Sequence, residues 1–179
     1  MNVYFLRHAK TYNNTNNVLS GRCETDIIPN QKIVFEKFPI SFDIIYSSTA
    51  KRCIDTLRLL PNGCFPNDII YTDVLLERSI GILENKTRDE AQKDFPEFFI
   101  NGKIDVDCII PNGETINDVV SRISSLTNMI LTTDDKSNCL ICSHNQTLKI
   151  MYALIKNIAI TNEYWHNKNF PQGVVIKIL

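Results

Sequence analysis

The chain has 179 residues, of which 44% are hydrophobic and 22% are charged, and its formal net charge at pH 7 is −1. This composition excludes a disordered chain and lacks the basic excess that nucleic-acid binding requires. The length predicts one domain over residues 1–179. No apolar run reaches the roughly 20 residues of a membrane span and no secretion signal is visible, so we expect a cytoplasmic protein that binds neither membrane nor nucleic acid.

Apolar runs alternate with helical patterns along the chain. Strands are predicted at about 2–7, 43–47, 138–143 and 173–179, and helices at about 30–38, 49–60, 115–133 and 145–158. Thr115 is the predicted N-cap of the longest helix, with Asp118 in its first turn. This order predicts a single-domain α/β fold with a mostly parallel sheet and helices on both faces.

Two of the predicted strands end on a histidine. The first strand runs directly into Arg7 and His8, and the strand at 138–143 runs into His144. In open α/β sheets, ligands bind beyond the carboxyl ends of the strands. We therefore expect the two histidines to converge on one small substrate.

Further blocks follow in a fixed order. Asn14 and then Gly21-Arg22 follow the first histidine, and Arg52 lies in the helical pattern after the second strand. Residues 77–84 have the spacing E-x-x-x-G-x-x-E, and residues 111–115 read P-x-G-E-T. With the two histidines, these blocks resemble the histidine phosphatase superfamily and its phosphoglycerate-mutase-like fold over nearly the whole chain.

The resemblance implies a role for each matching residue. His8 would be the nucleophile that forms a phosphohistidine, while Arg7 and Arg52 present planar guanidinium groups to the phosphate oxygens. Nearby cations disfavour a protonated His8, and His144 would also act in catalysis. Three residues are expected to add hydrogen bonds to the phosphate: Asn14, His144 and Asn145.

The carboxyl group that matches the family's acid is Glu77. Beside a phosphate dianion it can keep a proton for the leaving oxygen and later accept one from water. Glu84 fits the same pattern, although we expect it to fix loop structure. No cluster of residues has metal-ligand spacing, so neither a metal nor a cofactor is expected.

Taken singly, each residue also has a structural interpretation. Arg7 can be a surface charge, His8 and His144 can be satisfied histidines, and Glu77 can be a solvated loop residue. Their joint order favours the catalytic interpretation. Four residues are candidates for further substrate contacts, two of which, Lys10 and Arg78, can equally be surface charges: Lys10, Gly21, Arg22 and Arg78.

Six cysteines raise the possibility of disulfides or zinc. Cys139 and Cys142 form a C-x-x-C, but they lie in an apolar run without a second pair of metal-ligand spacing nearby. We therefore expect them to be small core residues.

The segment between the glutamate block and the P-x-G-E-T block bears on the reaction type. Only about 27 positions separate Glu84 from Pro111, and the basic residues among them are balanced by acidic ones. In the cofactor-dependent mutases of the family this segment is longer and supplies extra basic residues, so the resemblance favours hydrolysis of a phosphomonoester over isomerisation. It also implies that the reaction needs no metal and that the substrate is a small phosphorylated metabolite. The alternatives are a phosphoglycerate-type mutase and a phospholigand-binding relative without turnover. The resemblance implies that residues 74–112 form a small cap. Asn145-Gln146 depart from the family pattern, where the pair is often small and contains glycine, and we expect them to narrow the room beside His144. The sequence names neither the substrate nor the oligomeric state.

Overall fold

The computed structural model describes residues 1–36, 40–66 and 69–179. Its strands are β1 (Asn2–Arg7), β2 (Val34–Phe35), β3 (Ile44–Ser48), β4 (Ile69–Thr72), β5 (Phe99–Ile100), β6 (Lys103–Ile104), β7 (Asn138–Ser143) and β8 (Val174–Lys177). Six of them form one sheet in the order β2-β8-β1-β7-β3-β4, while β5 and β6 pair as a separate ribbon. Within the large sheet, the pairing of β1 with β8 is antiparallel and the other pairs are parallel. The mostly parallel α/β fold is confirmed.

Six α-helices accompany the sheet in the described part of the chain. They are α1 (Tyr12–Thr15), α2 (Lys51–Leu57), α3 (Arg88–Asp94), α4 (Ile116–Thr132), α5 (Asn145–Lys156) and α6 (Asn162–Asn167). Thr115 caps α4 in a capping box with Asp118, as the sequence predicts. No helix among the described residues combines the length and apolar character needed to cross a membrane.

Both faces of the sheet are covered. Alternate residues of a strand point to opposite faces, so Val3 and Phe5 of β1 pack in one cluster while Tyr4 and Leu6 pack in the other. Helices α4 and α5 supply the first cluster, and α2 supplies the second. A strand buried on both faces needs a continuous apolar run, which is the pattern that the sequence contains.

One predicted helix is wrong. The helical pattern near residues 30–38 corresponds to a turn and the short strand β2, and residues 37–39 lie outside the described residues. Val34 and Phe35 pair with Val174 and Val175 of β8. Pairing with β8 therefore overrides a short amphipathic pattern.

Residues 73–113 form an irregular segment with its own small core. It contains α3, the β5–β6 ribbon and three short 3₁₀ turns, and its apolar cluster includes Leu83, Ala91 and Ile104. An isolated bridge between Ile80 and Gly113 joins its two ends. Sequence periodicity predicted neither α3 nor the ribbon. Helix α3 is shorter than two full helical turns, and each ribbon strand has 2 residues, so neither element repeats its pattern often enough to be recognised.

Candidate active site

The pairing of β1 with β7 brings the two histidines together. Arg7 pairs with Ser143 in the parallel register, so His8 and His144 follow at the same edge of the sheet. Their ring centroids lie 5.2 Å apart, and the His8 N–H donates to the Ser143 carbonyl at 3.0 Å. The register of the two strands thus makes the two rings neighbours, and their convergence on one substrate stays a prediction.

A cavity of about 160 Å³ opens at this edge, and we call it the strand-end cavity. Six predicted site residues line it, together with Gly21, which was a candidate for a further contact. Those six residues are Arg7, His8, Asn14, Arg52, Glu77 and Asn145.

His8 is 5% exposed and has a defined tautomer. Its Nδ1 lies 2.8 Å from the Ala9 carbonyl oxygen, which can only accept, so Nδ1 carries the proton. Nε2 is therefore left with a free lone pair. Burial lowers the pKa of His8 well below its usual value, and the charges of Arg52 and Arg7 lower it further. A neutral His8 at pH 7 can act as a nucleophile.

Arg52 is almost fully buried in α2 and is held by three hydrogen bonds. Its terminal nitrogens donate to the carbonyls of Cys23 at 2.8 Å and Gly21 at 2.7 Å, and its Nε donates to His144 Nδ1 at 3.1 Å. One N–H on each terminal nitrogen remains for another acceptor. Gly21 has a φ of +48°, and a side chain there would collide with Glu84, so glycine is required for this carbonyl to reach Arg52.

Arg7 has an unused donor. One terminal nitrogen donates to the Phe170 carbonyl at 3.0 Å, whereas its Nε is buried without an acceptor among the described residues. Burial lowers the pKa of Arg7; Glu77 opposes this change and Arg52 adds to it. A buried, unpaired N–H at the end of a strand is costly unless an anion or another acceptor binds there.

His144 differs from His8 because protein groups occupy both of its ring nitrogens. Nδ1 accepts from Arg52, so Nε2 carries the proton and lies 2.9 Å from Ser48 Oγ. Burial is the main cause that lowers the pKa of His144 well below its usual value, and electrostatic repulsion from Arg52 and His8 lowers it further. The ring lies behind His8 and does not line the strand-end cavity. The structure thus shows that His144 contacts Arg52. A direct hydrogen bond between His144 and the phosphate stays a prediction.

Glu77 caps the N-terminus of α5 from another segment. The N-cap residue His144 makes no side-chain cap, and instead Glu77 Oε1 accepts from the Thr147 N–H at 3.2 Å and Oε2 accepts from the Gln146 N–H at 3.2 Å. Oε1 also accepts from the Arg78 N–H at 3.0 Å. The carboxyl group is therefore fixed by donors that a helix start leaves free. Oε2, with a single backbone donor, is the oxygen with more capacity left.

Asn14 is oriented by the start of α1. It completes a capping box with Thr11, whose N–H and hydroxyl both donate to Asn14 Oδ1 at 3.0 and 2.8 Å. Gln172 donates to the same oxygen. Because Oδ1 is used in this way, Nδ2 is the polar atom of Asn14 that remains for a ligand.

Three candidate contacts do not line the strand-end cavity. Lys10 is exposed, and Arg22 forms an ion pair with Glu114 at 2.8 Å. Arg78 is fully buried and donates to the carbonyls of Glu114 at 2.7 Å and Cys108 at 3.3 Å. The interpretation of Arg78 as a surface charge is therefore wrong, because it fills the interior of the 73–113 segment.

Comparison with known proteins gives the family. The model of the histidine phosphatase superfamily (branch 1) matches residues 3–176. The chain belongs to this superfamily. It is 31% identical over 102 residues to "Probable phosphatase C1687.21" of Schizosaccharomyces pombe, a match that spans 52% of this chain and 47% of the yeast protein. It is 23% identical over 163 residues to "Probable phosphoglycerate mutase GpmB" of Escherichia coli O1:K1, which covers 87% of this chain and 74% of that protein.

The fold of this histidine phosphatase superfamily member also matches solved structures. The alpha-ribazole phosphatase from Shigella flexneri superposes with a TM-score of 0.77 at 20% identity, covering 98% of this chain and 88% of that one. At this identity the match supports the fold alone.

Two carboxylates organise this histidine phosphatase site without lining it. Glu84 accepts from the N–H groups of Arg22 and Ile80, as expected for a residue that fixes loops. Glu114 accepts from Arg22 and Arg122, and Arg22 in turn donates to the Glu77 carbonyl at 3.3 Å. Sequence reasoning treated Glu114 only as part of a helix start.

Sequence reasoning also missed Arg88 and Gln146 as residues that line the strand-end cavity. Gln146 was named only for its size, and Arg88 only as one of several balanced charges. The sequence position of Arg88 does not indicate that helix α3 places its side chain at the strand-end cavity.

Proposed function

We propose that the protein is a phosphatase that hydrolyses a phosphomonoester through a phosphohistidine on His8. The observation that carries the proposal is the 2.8 Å contact between His8 Nδ1 and the Ala9 carbonyl oxygen, at the edge of a cavity that Arg7 and Arg52 also line. Because a carbonyl oxygen only accepts, the proton belongs on Nδ1 and the lone pair on Nε2. A neutral nucleophile between two cations suits attack on an anionic phosphoryl group.

In the first step, the Nε2 lone pair of His8 attacks phosphorus, and the bond from phosphorus to the ester oxygen breaks. Glu77 Oε2 supplies the proton that the leaving oxygen takes. The negative charge on the phosphoryl oxygens is stabilised by the unused N–H groups of Arg7 and Arg52.

In the second step, water attacks phosphorus and the bond from phosphorus to Nε2 breaks, which returns the electron pair to the ring. Glu77, now a carboxylate, accepts the proton of the water. The products are inorganic phosphate and the free enzyme with His8 neutral again.

Two guanidinium groups supply the positive charge that this mechanism requires, so we infer that hydrolysis needs no divalent metal. The test is phosphate release from a panel of phosphomonoesters with and without excess EDTA. We expect equal rates in both conditions. Loss of activity with EDTA that returns on addition of a metal ion would contradict the metal-independent mechanism.

A mutase is the second candidate, since a relative that covers 87% of this chain is named a probable phosphoglycerate mutase. A mutase returns the phosphoryl group from the histidine to an organic acceptor, whereas a phosphatase gives it to water. Incorporation of ¹⁸O from labelled water into inorganic phosphate separates the two. We expect one labelled oxygen per phosphate released, and isomerised ester without label in phosphate would favour the mutase.

A further inference from the structure

A second cavity of about 400 Å³ adjoins the strand-end cavity, and we call it the side cavity. The two share three lining residues, Arg88, Asn145 and Gln146, so they are adjacent, and we refer to them together as the cleft. A phosphoryl group bound beside His8 would direct the leaving part of its ester across these shared residues. The volume of the side cavity falls in the range of small-ligand sites.

The side cavity is lined by cations. Arg88 reaches it from α3, Lys103 from β6 and Lys149 from α5, and no carboxylate lines it among the described residues. In the sequence, the basic residues between 84 and 111 are balanced by acidic ones. In the fold, Arg88 and Lys103 point to this cavity and their acidic neighbours do not.

Lys149 is the most confined of the three cations, with 6% of its surface exposed. Its Nζ donates to the Trp165 carbonyl at 2.7 Å and lies 4.9 Å from the centre of the Trp165 ring. An ammonium group has three donors, and this is the one described hydrogen bond that uses them. A buried ammonium with unused donors is stabilised by an anion in the cavity.

The charges of the cleft act on Lys149 together. Burial lowers its pKa to about 8; Glu77 opposes the shift, and Arg7, Lys103 and Arg88 add to it. Positive charge is therefore in excess around the side cavity, which is the condition for attracting an anion.

Gln146 adds a polar group between the two cavities. Its Oε1 is buried without a donor among the described residues. An unpaired acceptor at this place suits a hydroxyl group of the substrate. The cleft thus offers, in order, a phosphoryl site, an acceptor for a hydroxyl and a cationic cavity.

We propose that the leaving part of the substrate carries a second anionic group, a carboxylate or a phosphate, that binds between Arg88, Lys103 and Lys149. This proposal rests on the proposed phosphatase function. It distinguishes the substrate from phosphomonoesters whose leaving alcohol is uncharged.

Matched ester pairs test the proposal. The carboxylate pair is 3-phosphoglycerate and glycerol 3-phosphate, and the phosphate pair is fructose bisphosphate and fructose 6-phosphate. We expect kcat/KM to favour the partner with the second anionic group in at least one pair by about tenfold or more, as a charged hydrogen-bonded contact would give. The pair with the larger ratio identifies the anion.

Variants connect that preference to the side cavity. Lys103 is exposed, so Lys103→Ala should fold, and we expect it to lower the preference ratio by about tenfold. Arg88→Ala should act in the same direction. Lys93→Ala is the matched control, because it removes an exposed positive charge from α3 that does not line the cavity, and it should leave the ratio unchanged.

The outcomes separate the two proposals. Release of phosphate from all four esters without preference for the partners with a second anionic group would overturn the second-anion proposal and leave the phosphatase function intact. A preference that Lys103→Ala and Lys93→Ala reduce equally would also overturn it, since long-range charge would then be the cause. Failure to hydrolyse any phosphomonoester would overturn the phosphatase function, and the second-anion proposal with it.

Discussion

The ends of β1 and β7 are alike in sequence and different in structure. Each strand is followed by a buried histidine with a lowered pKa, and the two rings are neighbours. Yet His8 lines the strand-end cavity and bonds with one ring nitrogen, to the Ala9 carbonyl, whereas His144 bonds Arg52 and Ser48 with both nitrogens. A strand that ends on histidine thus predicts where the ring lies, while the role of the ring depends on its hydrogen-bond partners.

Replacing each histidine in turn should separate the two strand ends most strongly. We expect His8→Ala to lower kcat by at least about 10⁴-fold, because the nucleophile is lost. His144→Ala should cost about 10²-fold through a displaced Arg52. His144→Asn should recover part of that loss, since an amide oxygen can replace Nδ1 as the acceptor for Arg52.

Lys93→Ala provides the control for both substitutions. Lys93 is exposed on α3 and lines neither cavity, so its replacement should leave the chemical step close to that of the wild type, as measured by single-turnover rates with an aryl phosphate. Equal losses in His8→Ala and His144→Ala, with no rescue by asparagine, would remove the distinction between the two strand ends.

Glu77 contacts both strand ends. It caps α5, the helix that follows β7, and it lines the strand-end cavity beside His8, the residue that follows β1. We expect Glu77→Gln to slow esters with poor leaving groups by roughly 10² to 10⁴-fold. An aryl phosphate, whose leaving group hardly needs a proton, should be slowed much less in the first step. Single-turnover measurements are needed, since Glu77 also acts on water in the second step. Equal losses for both esters would assign the acid to another residue.

The smallest expected effect is on stability, where the two histidines should act alike. Below about pH 6.5 the unfolded histidines bind protons, while the buried ones stay neutral because their pKa values are lowered. The unfolded state then binds more protons, so the free energy of unfolding falls as pH falls, by up to about 1.4 kcal/mol per pH unit for each histidine.

Urea denaturation between about pH 7.5 and 5 measures this slope above the main range of carboxyl titration. His8→Asn should reduce the slope, because it removes one of the two buried histidines with a lowered pKa. A stability that is flat over this range would mean that the two rings titrate alike in the folded and unfolded states, as exposed rings would, and would contradict the account.

The sheet and the positions of His8, His144 and Arg52 could be predicted because apolar runs and their ends fix strands and register. The orientation of His144 could not, because a ring pivots within a given backbone. Arg78 was misjudged for a related reason. It lies in the 73–113 segment, where contacts between side chains and backbone replace periodicity, so the sequence did not indicate that the guanidinium is fully buried.

The sequence also did not indicate that two basic residues of this segment line the side cavity while its acidic residues do not. Counting residues gave a balance of acidic and basic groups between 84 and 111, yet the fold turns Arg88 and Lys103 toward Lys149 on α5. Such grouping depends on the tertiary placement of α3 and the β5–β6 ribbon, for which the sequence carried no periodic signal.

The most direct test of the account is to identify the phosphorylated atom. Rapid quenching at alkaline pH during turnover, followed by peptide mapping and ³¹P NMR, reports both the residue and the ring nitrogen. We predict phosphate on Nε2 of His8, because Nδ1 is bonded to the Ala9 carbonyl. Phosphate on Nδ1 of His8, on His144 or on no histidine would contradict the account.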